Sequence, residues 1–203
     1  MAEIGLFPLG IVLLPTERVP LHVFEERYKE LIGECIDTDG AFGLVHAEGD
    51  ELADVGTRAR VAKVLTRFPD GRLNVLVEGG ERFRLEELTS GRSFLTATVL
   101  AFEDDEDTPA RDVVDRALGL FGRLREVTGS DVDPPAAGVP QLSFALAGRV
   151  ELPPEEKLEL LRDRSEPSRL ERVCALFEAA IAGAERMRVA AERATRNGRV
   201  ELG

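Results

Sequence analysis

This 203-residue chain contains no tryptophan, one tyrosine, two cysteines and two histidines. Cys35 and Cys174 are too few and too far apart to form the disulfide framework of a small secreted protein, so each is predicted to be a small buried residue. A zinc site needs three or four ligands at characteristic spacing, and His22 and His46 with two remote cysteines do not supply that pattern. We therefore expect neither a metal site nor a cofactor.

The motifs of common catalytic sites are also missing. The sequence contains no G-x-x-x-x-G-K-[ST] phosphate-binding loop, no G-x-S-x-G nucleophile turn and no G-x-G-x-x-G dinucleotide motif. A Ser–Lys dyad could draw only on Lys29, Lys63 and Lys157, which lie in segments typical of ordinary helix or strand surface. An unrecognised hydrolase would need a nucleophile and a base together in a cleft. The inventory predicts no catalytic residues and a protein that is not an enzyme.

The net charge of −12 disfavours nucleic acid as a partner, because an acidic chain repels a phosphate backbone at long range. The first residues lack the basic region of a secretion signal, and Pro8 and Pro15 interrupt the apolar run that follows. No segment approaches the ~20 apolar residues of a membrane span. These features predict a cytoplasmic protein with no membrane partner.

The first half of the sequence reads as strands around one helix. A helix is predicted over residues 24–36, with Phe24 on its apolar stripe, and a polar loop over residues 49–56. Two β-rich runs flank Pro69-Asp70-Gly71, which is a strong signal for a hairpin. The predicted strands cover residues 11–14, 42–47, 57–68, 72–78, 82–88 and 93–102.

The second half is predicted to be helical. Five consecutive acidic residues, 103–107, are typical of a solvated linker. The helices that follow have their apolar stripes near residues 113–124, 139–150, 152–161 and 168–197, with Asn197-Gly198 as the predicted end of the last one. We therefore expect a β-rich lobe over 1–104 and a helical lobe over 105–203. Whether the alanine-rich residues 190–194 pack on another copy in a weak homo-oligomer stays open.

Several segments, in order and over nearly the whole chain, resemble the amino-terminal substrate-binding domain of Lon proteases. The similar segments are FPLGIVLLP at 7–15, PLHVFEERY at 20–28, VGTRARV at 55–61, PDG at 69–71, LNVLVEGGERFRL at 73–85, LPPEEKLELL at 152–161 and RLERVCALF at 169–177. Glu26 departs from the pattern, since proline is frequent there in the family.

The resemblance implies an α+β fold, in which a PUA-like β-rich pseudo-barrel precedes an α-helical bundle that ends in a long helix. It also implies a non-catalytic module that binds exposed apolar segments of unfolded polypeptides in protein quality control. The sequence carries neither the ATPase phosphate-binding loop nor the Ser–Lys peptidase of Lon, so we expect a stand-alone member of the family. A protease or chaperone machine is a potential partner.

Two binding hypotheses follow from the resemblance. In the first, an apolar peptide binds in a cleft between the lobes or along a free strand edge, with Leu13, Leu14, Phe68 and Pro69 as contacts, although each could instead belong to the core or a turn. In the second, the PUA-like lobe binds RNA. This alternative requires a clustered arginine face, for which the candidates are Arg58, Arg60, Arg67, Arg82 and Arg84.

Overall fold

The computed structural model describes residues 2–136 and 138–197, with side chains described as far as residue 191. The first half contains six strands and one helix. The strands are β1 (Ala2–Leu9), β2 (Arg18–Val23), β3 (Ala41–Glu48), β4 (Glu51–Arg67), β5 (Leu73–Thr89) and β6 (Thr96–Ala101), and helix α1 (Glu26–Thr38) lies between β2 and β3. The later helices are α2 (Arg111–Thr128), α3 (Leu142–Ala147), α4 (Pro154–Arg162) and α5 (Glu166–Asn197).

The strands form a barrel with one extra strand. Their order is β2-β5-β4-β3-β1-β6, and β5 also pairs with β6, which closes the sheet. The 17-residue strand β5 makes this geometry because its first half pairs with β2 and its second half pairs with β6. Register shifts between β4 and β5 mark bulges, which bend strands enough to close a barrel.

Alternating side chains fill the barrel. Leu73, Val75 and Val77 are buried along β5, as their period of two predicts. Helix α1 covers this core with Tyr28 and Ile32, two of the residues on its buried face. The helical part has a core of its own, in which α2, α3 and α5 supply most of the buried residues.

Helices α2 and α5 run parallel and are tied by ion pairs on their exposed faces. Arg116 pairs with Glu171 at 3.0 Å and with Glu178 at 2.9 Å, and Arg123 pairs with Glu185 at 2.8 Å. The partner numbers increase together along both helices, which fixes their common direction. No helix in the described part of the chain is long and apolar enough to cross a membrane.

The predicted α+β class is confirmed, and so is the hairpin at Pro69-Asp70-Gly71, which joins β4 to β5. Both cysteines are buried, and burial raises the pKa of the Cys35 thiol to about 11. The boundary between lobes at residue 104 stays a prediction. Gly198, predicted as the end of the last helix, lies outside the described residues.

Several predicted elements were wrong. Residues 11–14 are not a strand but a buried connection, and residues 49–56, predicted as a loop, lie largely within β4. The third predicted helix shrinks to Leu142–Ala147, because the flanking residues run through turns. Phe24 lies before α1, so it is not part of that helix's buried stripe.

Candidate functional site

The connection after β1 joins the barrel core to the helical core. Leu13 is 1 % exposed and belongs to the barrel core, whereas its neighbour Leu14 is 0 % exposed and belongs to the helical core. The Thr57 hydroxyl donates a hydrogen bond to the Leu13 carbonyl at 2.6 Å, and the Glu17 carboxylate accepts one from the Leu14 amide at 2.9 Å. Leu13 and Leu14 are therefore packing residues rather than exposed contacts, and the structure offers a peptide no surface on them.

Gly79 allows this connection to approach β5. Its amide donates to the Glu17 carbonyl at 2.9 Å, and its carbonyl accepts from the Thr16 amide at 2.8 Å. A Cβ atom on Gly79 would lie 2.1 Å from the Leu14 carbonyl oxygen, which is well inside van der Waals contact. The absence of a side chain is thus a condition for the two cores to meet.

Arg82 extends from β5 into the helical part. Its Nη1 donates to the Leu161 carbonyl at 2.6 Å and to the Asp163 carbonyl at 2.7 Å, and its Nη2 pairs with Asp104. The side chain is only 1 % exposed, and this burial lowers the pKa of its guanidinium to about 10.

Asp104 binds a second buried guanidinium, that of Arg169 on α5. The two groups form a bidentate pair, with Nη1–Oδ1 at 2.8 Å and Nη2–Oδ2 at 2.7 Å, and Gln141 donates to Oδ2 at 2.9 Å. Burial raises the pKa of Asp104, but the hydrogen bonds from Arg169 and Gln141 and the charges of both arginines outweigh burial and hold that pKa below its usual range. Glu166 also accepts from Arg169, at 2.6 Å. One carboxylate therefore links two buried cations from opposite sides of the junction.

This network also bears on the RNA hypothesis. Two of the five arginines proposed for an RNA-binding face are engaged within the protein, because Arg82 is buried at the junction and Arg60 pairs with Glu78 at 3.0 Å. Arg18 contacts the same Glu78 carboxylate at 2.7 Å. The alternative of an RNA-binding module is accordingly not favoured.

An exposed aromatic cluster lies at the open end of the β2–β5 pair, and we call His22, Phe24, Phe68 and Pro69 the aromatic surface. The His22 ring lies 5.8 Å from the Phe24 ring, nearly parallel to it, and 6.1 Å from the Phe68 ring, nearly perpendicular. Phe24 is 60 % exposed, Pro69 is exposed and Phe68 is half-buried. These four side chains form a partly exposed, largely apolar patch beside the turn between β4 and β5.

The local sequence explains why the patch forms. Strand pairing places Val23 opposite Leu73, so the residue after β2 lies beside the turn that precedes β5. In that turn, Gly71 has a φ of +83°, a conformation that favours glycine. His22 is held by a 2.6 Å hydrogen bond between its Nδ1 and the Asn74 Oδ1. The Arg72 guanidinium lies 5.1 Å from the centre of the Phe68 ring.

The structure thus brings two of the four predicted contact residues, Phe68 and Pro69, together with His22 and Phe24. Sequence reasoning placed Phe24 on the apolar stripe of a helix and considered His22 as a metal ligand. The cross-strand register between β2 and β5 could have revealed this cluster. It places His22 and Phe24, at the end of β2, beside the turn that contains Phe68 and Pro69. Within residues 2–136 and 138–197, no three His, Cys, Asp or Glu side chains are grouped so that they could hold a metal ion.

Comparison with known proteins places this geometry in a family. The model of the ATP-dependent protease La (LON) substrate-binding domain matches residues 3–178. The chain belongs to the Lon substrate-binding domain family. The match includes both the barrel and most of the helical part.

The relatives include complete Lon proteases. The chain is 29 % identical to the Lon protease of Rhizobium meliloti (strain 1021) in an alignment of 187 residues that covers 84 % of this chain and 23 % of that protein. It is 32 % identical to the Lon protease of Paraburkholderia phytofirmans in an alignment of 182 residues that covers 80 % of this chain and 22 % of that protein. The chain therefore spans less than a quarter of the length of these relatives, and the part it matches is the substrate-binding domain.

Solved structures agree with the fold. The Lon N-terminal domain protein of Xanthomonas campestris superposes with a TM-score of 0.67 at 26 % identity, covering 86 % of this chain and 98 % of that one. The N-terminal domain of Mycobacterium avium complex Lon protease gives a TM-score of 0.65 at 16 % identity, covering 87 % of this chain and 98 % of that one, which supports the fold alone.

Proposed function

We propose that this protein is a non-catalytic recognition module that binds exposed apolar segments of unfolded polypeptides through the aromatic surface. The observation that carries the proposal is Phe24, a large aromatic residue that is 60 % exposed and lies beside the His22 ring, in a chain that belongs to a family of substrate-binding domains. The Lon relatives suggest work beside a protease or chaperone machine. Two cysteines that are both buried and free are consistent with a reducing cytoplasm.

The chemistry of the patch suits a ligand without a fixed sequence. Aromatic rings bind apolar side chains by removing their surface from water, at roughly 25 cal/mol per Å², and this interaction needs no particular partner residue. An isolated patch of this size supports weak binding, which suits a module that must also release its client.

Replacement of Phe24 by serine tests the proposal. We expect F24S to weaken binding of an unfolded, carboxymethylated model polypeptide about tenfold or more, because burying a phenylalanine side chain contributes about 1.5–3 kcal/mol. Fluorescence anisotropy of the labelled polypeptide measures the affinity. Electrophoresis of the same samples is expected to show that the polypeptide stays uncleaved.

Leu88 provides the matched control, because it is 48 % exposed but lies near the opposite end of β5. L88S removes a similar apolar side chain and should leave binding unchanged. Equal affinities for wild type, F24S and L88S, with all three folded by circular dichroism, would show that the aromatic surface is not the binding site.

A further inference from the structure

A cavity lies in the helical part, away from the barrel strands. It opens to the surface, has a volume of about 420 Å³ and is lined by the end of α2, the middle of α5 and the segment that follows α3. Leu124 and Phe177 are buried at its base, and Leu152, Leu176 and Ala180 line it further out. The size and apolar lining are those of a small-ligand pocket rather than of a packing defect.

Two arginines, Arg125 and Arg149, also line this apolar cavity. The other α2 arginines next to α5 have acidic partners, since Arg116 pairs with Glu171 and Glu178 and Arg123 pairs with Glu185. No such pair forms at Arg125 among the described residues, and its Nε is buried without a hydrogen-bond partner. A buried guanidinium nitrogen without a hydrogen-bond partner is costly unless a ligand supplies the missing acceptor.

Arg149 is exposed, and it also has no carboxylate partner among the described residues. Its Nε donates to the Asp133 carbonyl at 3.1 Å and its Nη1 to the Ala145 carbonyl at 2.6 Å, so both recorded partners are neutral. These bonds fix the side chain while leaving its positive charge without a carboxylate. In a chain with a net charge of −12, two such cations on one apolar cavity point to an anionic ligand.

We propose that this cavity binds the C-terminal residue of a polypeptide, with an apolar terminal side chain at its base and the α-carboxylate on Arg125 and Arg149. The inference rests on the proposed function only in taking polypeptide as the ligand. Guanidinium groups bind carboxylates through charge-assisted hydrogen bonds, which supply the specificity that an apolar base lacks.

The remaining polar groups favour a peptide over a fatty acid. Glu151 and Ser130 line the same cavity and can accept hydrogen bonds from peptide N–H groups, which a fatty acid does not have. Glu151 would repel a carboxylate placed against it. The terminal carboxylate therefore belongs at the arginines and the preceding amide at Glu151.

The experiment uses two labelled decapeptides of one sequence ending in leucine, one with a free C-terminal carboxylate and one with a C-terminal amide. We expect the free acid to bind the full chain about ten- to a hundredfold more tightly, as hydrogen bonds to charged groups imply. R125Q is expected to reduce acid binding to the level of the amide. The control R123Q, on the same helix but paired with Glu185, should bind like wild type.

Two further variants separate folding from recognition. R125Q should unfold in urea near the wild-type midpoint, because it removes a charge that has no carboxylate partner among the described residues and keeps a polar group at the position of the buried Nε. A180W fills the cavity from an exposed helix position and should abolish the difference between acid and amide. Equal affinity of the two wild-type peptides, or unchanged acid binding in a folded R125Q, would overturn the proposal.

The source of the carboxylate and the independence of the two sites are tested with the same peptides. Decanoate, which has the anion and the apolar chain without amides, should compete at least tenfold more weakly than the acid peptide, and stronger competition would reject a polypeptide ligand. F24S should retain the preference for the acid. If wild type binds the acid and the amide equally but F24S still weakens binding of the unfolded polypeptide, this inference alone is refuted. If wild type prefers the acid but F24S binds the unfolded polypeptide like wild type, the proposed function alone is refuted.

Discussion

Replacing Asp104 by alanine is expected to destabilise the protein by about 3–5 kcal/mol, since removing one partner leaves an uncompensated buried charge. Here the Asp104 carboxylate pairs with Arg82 and Arg169, whose side chains are 1 % and 0 % exposed. Arg169 would keep Glu166, whereas Arg82 has no other acidic partner among the described residues. Neither guanidinium can compensate for the loss of the carboxylate by moving into solvent, because both side chains are buried. Urea denaturation followed by circular dichroism measures the free energy of unfolding.

The neighbouring residue provides the control. Asp105 pairs with Arg164 at 2.9 Å, but both side chains are about half exposed, so D105A should cost no more than about 1 kcal/mol. A loss in D104A that is no greater than that in D105A would mean that the buried network contributes little beyond a surface ion pair.

The same network predicts the response to acid. The pKa of Asp104 is lower in the folded protein than its ordinary value of 3.8, so its stabilising contribution is fully present above that value and is lost as the pH falls through the folded pKa. The contribution of Asp104 to the free energy of unfolding should therefore be constant above about pH 5 and decrease below about pH 4. D104N should be less stable at neutral pH and show a shallower decline in acid, which a urea series from pH 3 to 7, roughly spanning carboxylate titration, would reveal.

The second large effect is expected for G79A. A Cβ at position 79 would lie 2.1 Å from the Leu14 carbonyl oxygen and 3.0 Å from its carbonyl carbon, and both atoms belong to the backbone. Overpacking usually costs about 1–3 kcal/mol, and we expect the upper end or more, because the strand and the connection are each held by other hydrogen bonds. The urea midpoint and the yield of folded protein measure the loss.

Gly33 serves as the matched control. It lies within α1, and nothing would come within 4 Å of its added Cβ. G33A should stabilise the protein by about 0.5–1 kcal/mol, because alanine is the better helix former. If G79A were as stable as wild type, the connection after β1 would have to be free to shift away from β5.

The elements that the sequence predicts well are those that depend on neighbours along the chain. The hairpin between β4 and β5 follows from Pro69-Asp70-Gly71, because these residues impose a turn whatever surrounds them. The helix stripes of α2 and α5 follow from periodicity in the same way. The family resemblance added the match to a substrate-binding domain, which local patterns do not contain.

The features that the sequence did not predict depend on distant partners. In the sequence, Leu13 and Leu14 read either as part of a strand or as exposed peptide contacts. Their burial depends on the two cores that flank them, which are formed by residues distant along the chain. Arg82 alternates along β5 like a surface residue, but its partner Asp104 lies beyond the barrel strands. Phe24 fits the period of the helix that follows, yet the chain is still extended at Glu25, so its ring stays outside. Local sequence patterns do not encode these contacts between distant residues.

The connection at Leu13 and Leu14 has a consequence for unfolding. Two successive side chains anchor the same peptide in two different cores, so the barrel cannot release this segment without opening the helices as well. The molecule should consequently melt in a single cooperative step, and partial opening should be confined to regions far from this segment, such as the turn that carries Pro69.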